Sequence, residues 1–246
     1  MAKLDVTARQ ALPAAALGVY ARWALSRQFG ALRLQMTDPL EVSGPLIVQA
    51  THGSWWDGHL AVLLGLIARR PLLVPTLAGN TARYPFLRRA GAVGFDPADA
   101  RSVAALARLI IRACEPASVH PPLVVVFPTG YIVPPELRPI PSGGLSALLA
   151  WGARPVPIRS LAVSLRYVGN PKASVWLRLG PVVDTTAFTS RRALQVALRD
   201  DLTVAADALA ADLLAERTDG YAAVLRGSLS AAERWDALRG RPRVEF

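Results

Sequence analysis

The sequence predicts an α/β domain, a single layered unit with a mostly parallel central sheet flanked by helices, and three observations predict it. Short apolar segments bounded by glycine and proline alternate with longer segments of helical period between residues 44 and 160. One of the short segments, Leu123-Val-Val-Val-Phe127, is apolar throughout, as a strand covered on both faces must be. The chain has 246 residues, 52% hydrophobic and 19% charged, with no repeat and no linker long enough to divide it. That is a folded composition, not a disordered one.

The elements follow in order. Residues 8–28 read as a helix, uncharged from Ala11 to Ala21. Arg22, Trp23 and Arg27 stand where a cleaved leader needs small residues, so no signal peptide is expected. The apolar face of this helix is suited equally to a membrane surface and to the protein core. No stretch approaches the ~18 apolar residues of a spanning helix. The expected organisation is an N-terminal apolar, membrane-associating helix within residues 1–30 and a main domain over residues 31–246 that ends in helices. The expected location is peripheral, on the cytoplasmic face of a membrane.

Leu46-Ile-Val-Gln-Ala50 lies between Gly44-Pro45 and Thr51-His-Gly53 and reads as a buried strand. A helix is expected from Trp55 to Ala68, a strand over Leu72-Leu-Val-Pro75, a short helix from Tyr84 to Arg89 and a strand over Ala92-Val-Gly-Phe95. From Ala100 to Cys114, Val103, Leu106, Leu109 and Ile110 recur at helical spacing with Arg101, Arg108 and Arg112 between them. Residues 131–144 are dense in proline and form a loop. Leu145 to Trp151 is a helix stopped by Gly152, and residues 156–168 and 174–183 are strands. From Ser190 onward the chain is rich in Ala and Leu and reads as helical, with breaks at Gly220 and Gly227.

Composition removes several function classes. One cysteine, Cys114, excludes an intramolecular disulfide or a multi-thiolate zinc site, and His52, His59 and His120 are too dispersed for a histidine cage. The net charge of +10 attracts polyanions. Its arginines are scattered singly or in pairs, without the runs or interleaved aromatics of a nucleic-acid module. Anionic lipid, the phosphates of coenzyme A and an acidic carrier protein remain as partners.

His52 and Asp57 stand where a strand gives way to a helix, the place where open α/β sheets put ligand crevices. A carboxylate in the first helical turn can reach back to the ring of His52 and fix its tautomer. A histidine so held takes a proton from a hydroxyl near neutral pH. The pair supplies a base, not a nucleophile.

The segment His52-Gly-Ser-Trp-Trp-Asp57 resembles the H-x4-D motif of the glycerolipid acyltransferases, the family of bacterial 1-acylglycerol-3-phosphate acyltransferases. Arg88 to Asp96 is similar to that family's second block, Phe127-Pro-Thr-Gly130 to its F-P-E-G block and Pro155-Val-Pro-Ile158 to its fourth. The resemblance spans roughly residues 40 to 185 and keeps the blocks in order. It implies a glycerol-3-phosphate acyltransferase-like fold and an O-acyltransferase, one transferring groups other than aminoacyl groups in phospholipid or other lipid metabolism. The co-substrate would be acyl-coenzyme A or an acyl carrier protein, with no resident cofactor and no metal. The acceptor hydroxyl would belong to a lipid or sugar alcohol, lysophospholipids included, and His52 would be the base. Backbone N–H groups near Gly130 are the candidate oxyanion donors.

Departures bear on the acceptor. Pro97 occupies the second block's arginine position, Thr129 replaces the glutamate of the third block, and Ile132 stands at its arginine position. Neither proline nor isoleucine can make a charge-assisted bond to phosphate. Arg83, Arg101 or Arg138 would have to supply that charge; otherwise the acceptor is neutral, the reading favoured here. The substrate-binding candidates are thus Thr129, Gly130, Arg83, Arg101 and Arg138. The same departures motivate the alternative of a catalytically inactive lipid-binding protein. His59 reads as a packing residue, His120 as a loop residue and Cys114 as a small helix residue, while Trp55 and Trp56 suit either an acyl channel or the core. Ser54 has no G-x-S-x-G context, which disfavours a hydrolase.

Overall fold

The protein, a computed structural model, is described over residues 11–38, 40, 44–115, 120–142, 144–167 and 171–240. Residues 1–10, including the expected helical residues 8–10, lie outside the described residues, as do Gly143, Val168 and residues 241–246. The described chain runs α1 (Ala11–Gln28), β1 (Ala31–Met36), β2 (Leu46–Ala50), α2 (Asp57–Ile67), β3 (Leu72–Leu77), α3 (Ala78–Arg83), α4 (Phe86–Arg89), β4 (Ala92–Phe95) and α5 (Ala100–Ala113). It continues through β5 (Leu123–Val126), α6 (Leu145–Gly152), β6 (Ile158–Arg166), β7 (Ser174–Val183), α7 (Arg191–Leu214), β8 (Ala222–Arg226) and α8 (Ala231–Leu238).

The strands join in the order β4-β3-β5-β2-β6-β7-β1-β8. Only the β6–β7 and β1–β8 pairings are antiparallel, so the sheet is mostly parallel as expected. β5 and β2 lie in its interior, and every residue of both is buried, which is why neither shows polar alternation.

Three expectations are corrected. The short helix expected over residues 84–89 is helical only over α4 (Phe86–Arg89), and α3 (Ala78–Arg83), separated from it by Tyr84 and Pro85, was not expected. β1 was not expected, although Leu32 and Leu34 alternate with Arg33 and Gln35 in the period of a half-buried strand. β8 interrupts the helical C-terminal region between Gly220 and Gly227. Its Ala-Ala-Val-Leu-Arg composition is compatible with a helix, and its edge position against β1 settles it as a strand.

α1 and α2 cover one face of the sheet, where Leu25, Leu60 and Leu64 pack on Leu46, Val48 and Val125. On the other face, Ile110 of α5, Leu149 of α6 and Leu198 of α7 meet Ile47, Val124 and Val126. Each such side chain contributes about 1.5–3 kcal/mol when fully buried. The buried Gln49 fastens α7 to the sheet, its Nε2 donating to the Ser160 hydroxyl at 2.8 Å and the Leu198 carbonyl at 2.7 Å.

Gly91 lets the chain turn from α4 into β4. Its φ is +91°, and an added Cβ would stand 1.8 Å from the Leu72 carbonyl oxygen, a backbone atom with no freedom to move aside. The Gly91 carbonyl also accepts the Val74 N–H at 2.9 Å, tying β4 to β3. Gly91→Ala is therefore expected to cost about 3 kcal/mol or more, read as a lowered urea midpoint. An unchanged midpoint would show that the turn relaxes freely.

Candidate active site

β2 delivers His52 two residues past its carboxyl end, and α2 begins at Asp57, whose carboxylate turns back over the intervening loop. Asp57 Oδ2 accepts from His52 Nδ1 at 2.8 Å, from the Gly53 N–H at 2.9 Å and from the Ser54 N–H at 3.0 Å. Its Oδ1 accepts the Ser54 hydroxyl at 2.8 Å. Four donors thus converge on a carboxylate only 1% exposed at a helix N-terminus. An ionised carboxylate can only accept, so it places the histidine proton on Nδ1 and leaves the lone pair on Nε2.

The His52 ring is 22% exposed and lies tilted against Phe127, centroids 4.7 Å apart. The His52 carbonyl accepts the Val133 N–H at 2.8 Å, holding the proline-rich loop against the motif. Thr51 Oγ1 accepts the Val163 N–H at 2.9 Å, joining the same turn to β6. Between that loop, β6 and α7 runs a cleft of about 50 Å³, onto which His52, Val133, Ile140, Ser164 and Leu209 face. That is room for roughly three or four water-sized groups, the scale of a reacting ester and a hydroxyl rather than of a whole acyl chain.

The other predicted residues are dispersed. Arg138 faces the cleft, but its Nε donates to Asp207 at 2.6 Å and its Nη1 to the Pro135 and Leu137 carbonyls. Arg83 ends α3 with its guanidinium over the Tyr84 ring at 5.4 Å, and Arg101 is exposed in the first turn of α5, its N–H donating to Asp99. Neither faces the cleft. The Thr129 hydroxyl donates to the Tyr131 carbonyl at 2.8 Å, and the Gly130 N–H to the Phe127 carbonyl at 3.0 Å. Both donors are engaged within the turn that follows β5.

His59 is enclosed by Tyr20, Trp55 and Trp56, with ring centroids 5.0–5.9 Å away, and burial lowers its pKa. Trp56 packs edge-on against Phe29, whereas Trp55 is exposed. His120 is an exposed loop residue. Burial pushes the Cys114 thiol up to about 11, far from a reactive thiolate. Among the described residues no three His, Cys, Asp or Glu side chains gather as metal ligands.

Some of the site carries no local sign in the sequence. Ser164 and Arg166 reach the cleft because β6 pairs beside β2, a contact between residues more than 100 apart. Ser54 carries a weak sign: a serine three residues before an aspartate is the spacing at which a hydroxyl and a helix-start carboxylate meet.

No protein-family profile matches the chain, and neither does any curated protein sequence. Among solved structures it resembles the crystal structure of the 1-acyl-sn-glycerophosphate (LPA) acyltransferase PlsC from Thermotoga maritima. The match has a TM-score of 0.63 and covers 85% of this chain and 84% of that one at 15% sequence identity. The α/β architecture of this chain, with its mostly parallel sheet between helical layers, is the fold of that acyltransferase.

Proposed function

We propose that this chain is an O-acyltransferase that moves a fatty acyl group from a thioester to a hydroxyl on a lipid or sugar alcohol, with His52 as general base. The observation that carries the reading is the carboxylate-held imidazole, its Nε2 free at the wall of a cleft. The shared fold and the ordered motif blocks support it. Nε2 takes the acceptor proton as the hydroxyl oxygen attacks the thioester carbonyl carbon. Asp57 stabilises the imidazolium so formed. Collapse of the tetrahedral oxyanion breaks the C–S bond, and the thiolate leaves with the proton carried by His52. No acyl-enzyme forms.

The acceptor is neutral at its reacting end on this reading. Pro97, Thr129 and Ile132 bring no charge, and Arg138 is neutralised by Asp207. The donor is acyl-coenzyme A or an acyl carrier protein, and the protein works from a membrane surface. A thiol-release assay with long-chain acyl-coenzyme A and acyl carrier protein, across neutral and phosphorylated acceptors, is expected to show release that depends on a neutral alcohol. Absence of acceptor-dependent release with either donor would instead identify a lipid-binding protein. A clear preference for lysophosphatidic acid would overturn the neutral acceptor and make Arg166, the other cation facing the cleft, its phosphate partner.

A further inference from the structure

Two buried N–H donors near the cleft have no acceptor among the described residues: Arg33 Nε on β1 and Trp176 Nε1 on β7. Trp176 is 2% exposed, and the Arg33 guanidinium lies over its ring, 5.3 Å from the centroid. Such stacking holds the guanidinium by its face and leaves its in-plane N–H groups for an acceptor. A buried donor left without one is destabilising, so a pair of them calls for a reason. The strand register joins both to the cleft. Ser164, which faces the cleft, pairs with Trp176, and Trp176 pairs with Arg33, so the three stand in one row across β6, β7 and β1. Leu209 of α7 faces the cleft and also packs in one cluster with Trp176. His52 stands level with this row on the other side of β6, where the Thr51 hydroxyl accepts the Val163 N–H. β2 and β1 are three strand spacings apart, about 14 Å.

The row is electropositive. Residues 31–33, 164–167, 173–176 and 222–226 hold Arg33, Arg166 and Arg226 and no carboxylate. Among the described residues no ion pair joins Arg33 or Arg166 to an acid. The carboxylate that does reach this face, Asp212, is taken by Arg178, two residues further along β7, by Arg217 and by the Tyr221 hydroxyl. A half-buried guanidinium on an aromatic seat, with donors to spare and no acid against it, fits the planar fork that binds a phosphate ester.

We propose that Arg33, seated on Trp176, binds a phosphate ester carried by the acyl donor: the phosphate that ends a pantetheine arm, which acyl-coenzyme A and acyl carrier protein have in common. From thioester sulphur to phosphorus that arm has about thirteen bonds, or about 15 Å when extended at roughly 3.5 Å per three bonds. A thioester beside His52 thus sets its phosphate over β1, three strands away. The small cleft then needs to enclose only the reacting ester and hydroxyl, and the arm lies along the row from Ser164 to Arg33. The proposal rests on the thioester-donor reading of the site and names what holds the donor's far end.

Synthetic long-chain acyl-phosphopantetheine and acyl-pantetheine, which differ by that phosphate alone, test it on the full chain across the same acceptor panel. The parent is expected to favour the phosphorylated donor by about thirtyfold in kcat/KM, the scale of charge-assisted hydrogen bonds, and Arg33→Gln to cut that ratio to about threefold or less. A ratio taken within one protein does not depend on how much of it is folded. Arg112→Gln, which removes the same charge from an exposed position on α5, is expected to keep the parental ratio. Calorimetric binding of phosphopantetheine, expected to weaken about tenfold or more in Arg33→Gln, gives a readout that needs no transfer. A parental ratio near one, a ratio unchanged in Arg33→Gln, or an equal loss in Arg112→Gln would each overturn the proposal. So would a donor ratio near one joined to a preference for phosphorylated acceptors that Arg33→Gln abolishes, which would give the subsite to the acceptor. A chain that binds phosphopantetheine through Arg33 yet transfers no acyl group upholds the subsite and removes the transferase reading. Equal transfer from both thioesters does the reverse, and neither binding nor transfer removes both.

Discussion

His52→Ala is expected to lower kcat/KM for acyl transfer by about 10³-fold, within the 10²–10⁴ that a positioned general base supplies. The acceptor hydroxyl is a poor nucleophile until its proton is shared, and His52 Nε2 is the group on the cleft wall left with a lone pair by the Asp57 contact. The loss should fall on chemistry and not on folding. Asp57 keeps its bonds to the Gly53 N–H, the Ser54 N–H and the Ser54 hydroxyl after the ring is removed, so no buried charge is stranded. The thermal midpoint should therefore stay close to that of the parent. Acceptor-dependent thiol release in the two proteins, followed alongside their melting curves, checks both halves. Transfer at the parental rate with an intact fold would remove His52 from the reaction and leave the cleft without a base.

What the sequence disclosed and what it concealed divide along the range of the interactions. The buried strands β2 and β5 and the helix α5 announce themselves because their patterns are local: an apolar run closed by glycine or proline, and a 3.6-residue period. The His52–Asp57 contact is local as well, five residues apart across one turn, so spacing alone brings the two groups within reach. β8 was hidden because an edge strand of Ala, Val and Leu owes its conformation to its partner β1, not to its own composition. The far wall of the cleft was hidden for a similar reason. Ser164, Arg166 and Leu209 become neighbours of His52 only once β6 has paired with β2 and α7 has been fastened over the sheet through Gln49. The arginines show the limit from the other side. Arg83, Arg101 and Arg138 were reasonable phosphate partners by charge, but what a guanidinium does depends on the nearest acceptor. For Arg138 that acceptor is Asp207, 69 residues away in the chain.

Asp57→Asn should separate the two duties of the carboxylate. With the amide oxygen in the place of Oδ2, Gly53 and Ser54 retain an acceptor for their N–H groups and Ser54 Oγ can turn to accept from the new NH2, whereas the reverse orientation sets the NH2 against both N–H groups. The cost in stability is expected to be about 1–3 kcal/mol, that of weakened bonds to a buried group. Activity should suffer far more. If the amide oxygen faces His52, the imidazolium formed in the reaction loses the negative charge that stabilised it; if the NH2 faces His52, Nδ1 becomes the acceptor, the proton moves to Nε2, and no base is left. Either outcome predicts a fall of about 10²–10⁴-fold in kcat, with KM little changed because Asp57 is buried and touches no substrate. Asp57→Ala is the contrasting variant. It strands the Gly53 N–H, the Ser54 N–H and the Ser54 hydroxyl together, so it should lower the melting midpoint well below that of the asparagine variant as well as abolish transfer. A melting midpoint lowered as far by Asn as by Ala, with transfer by the surviving folded Asn protein near the parental rate, would make Asp57 a structural cap for the turn and take the orientation of His52 out of its hands.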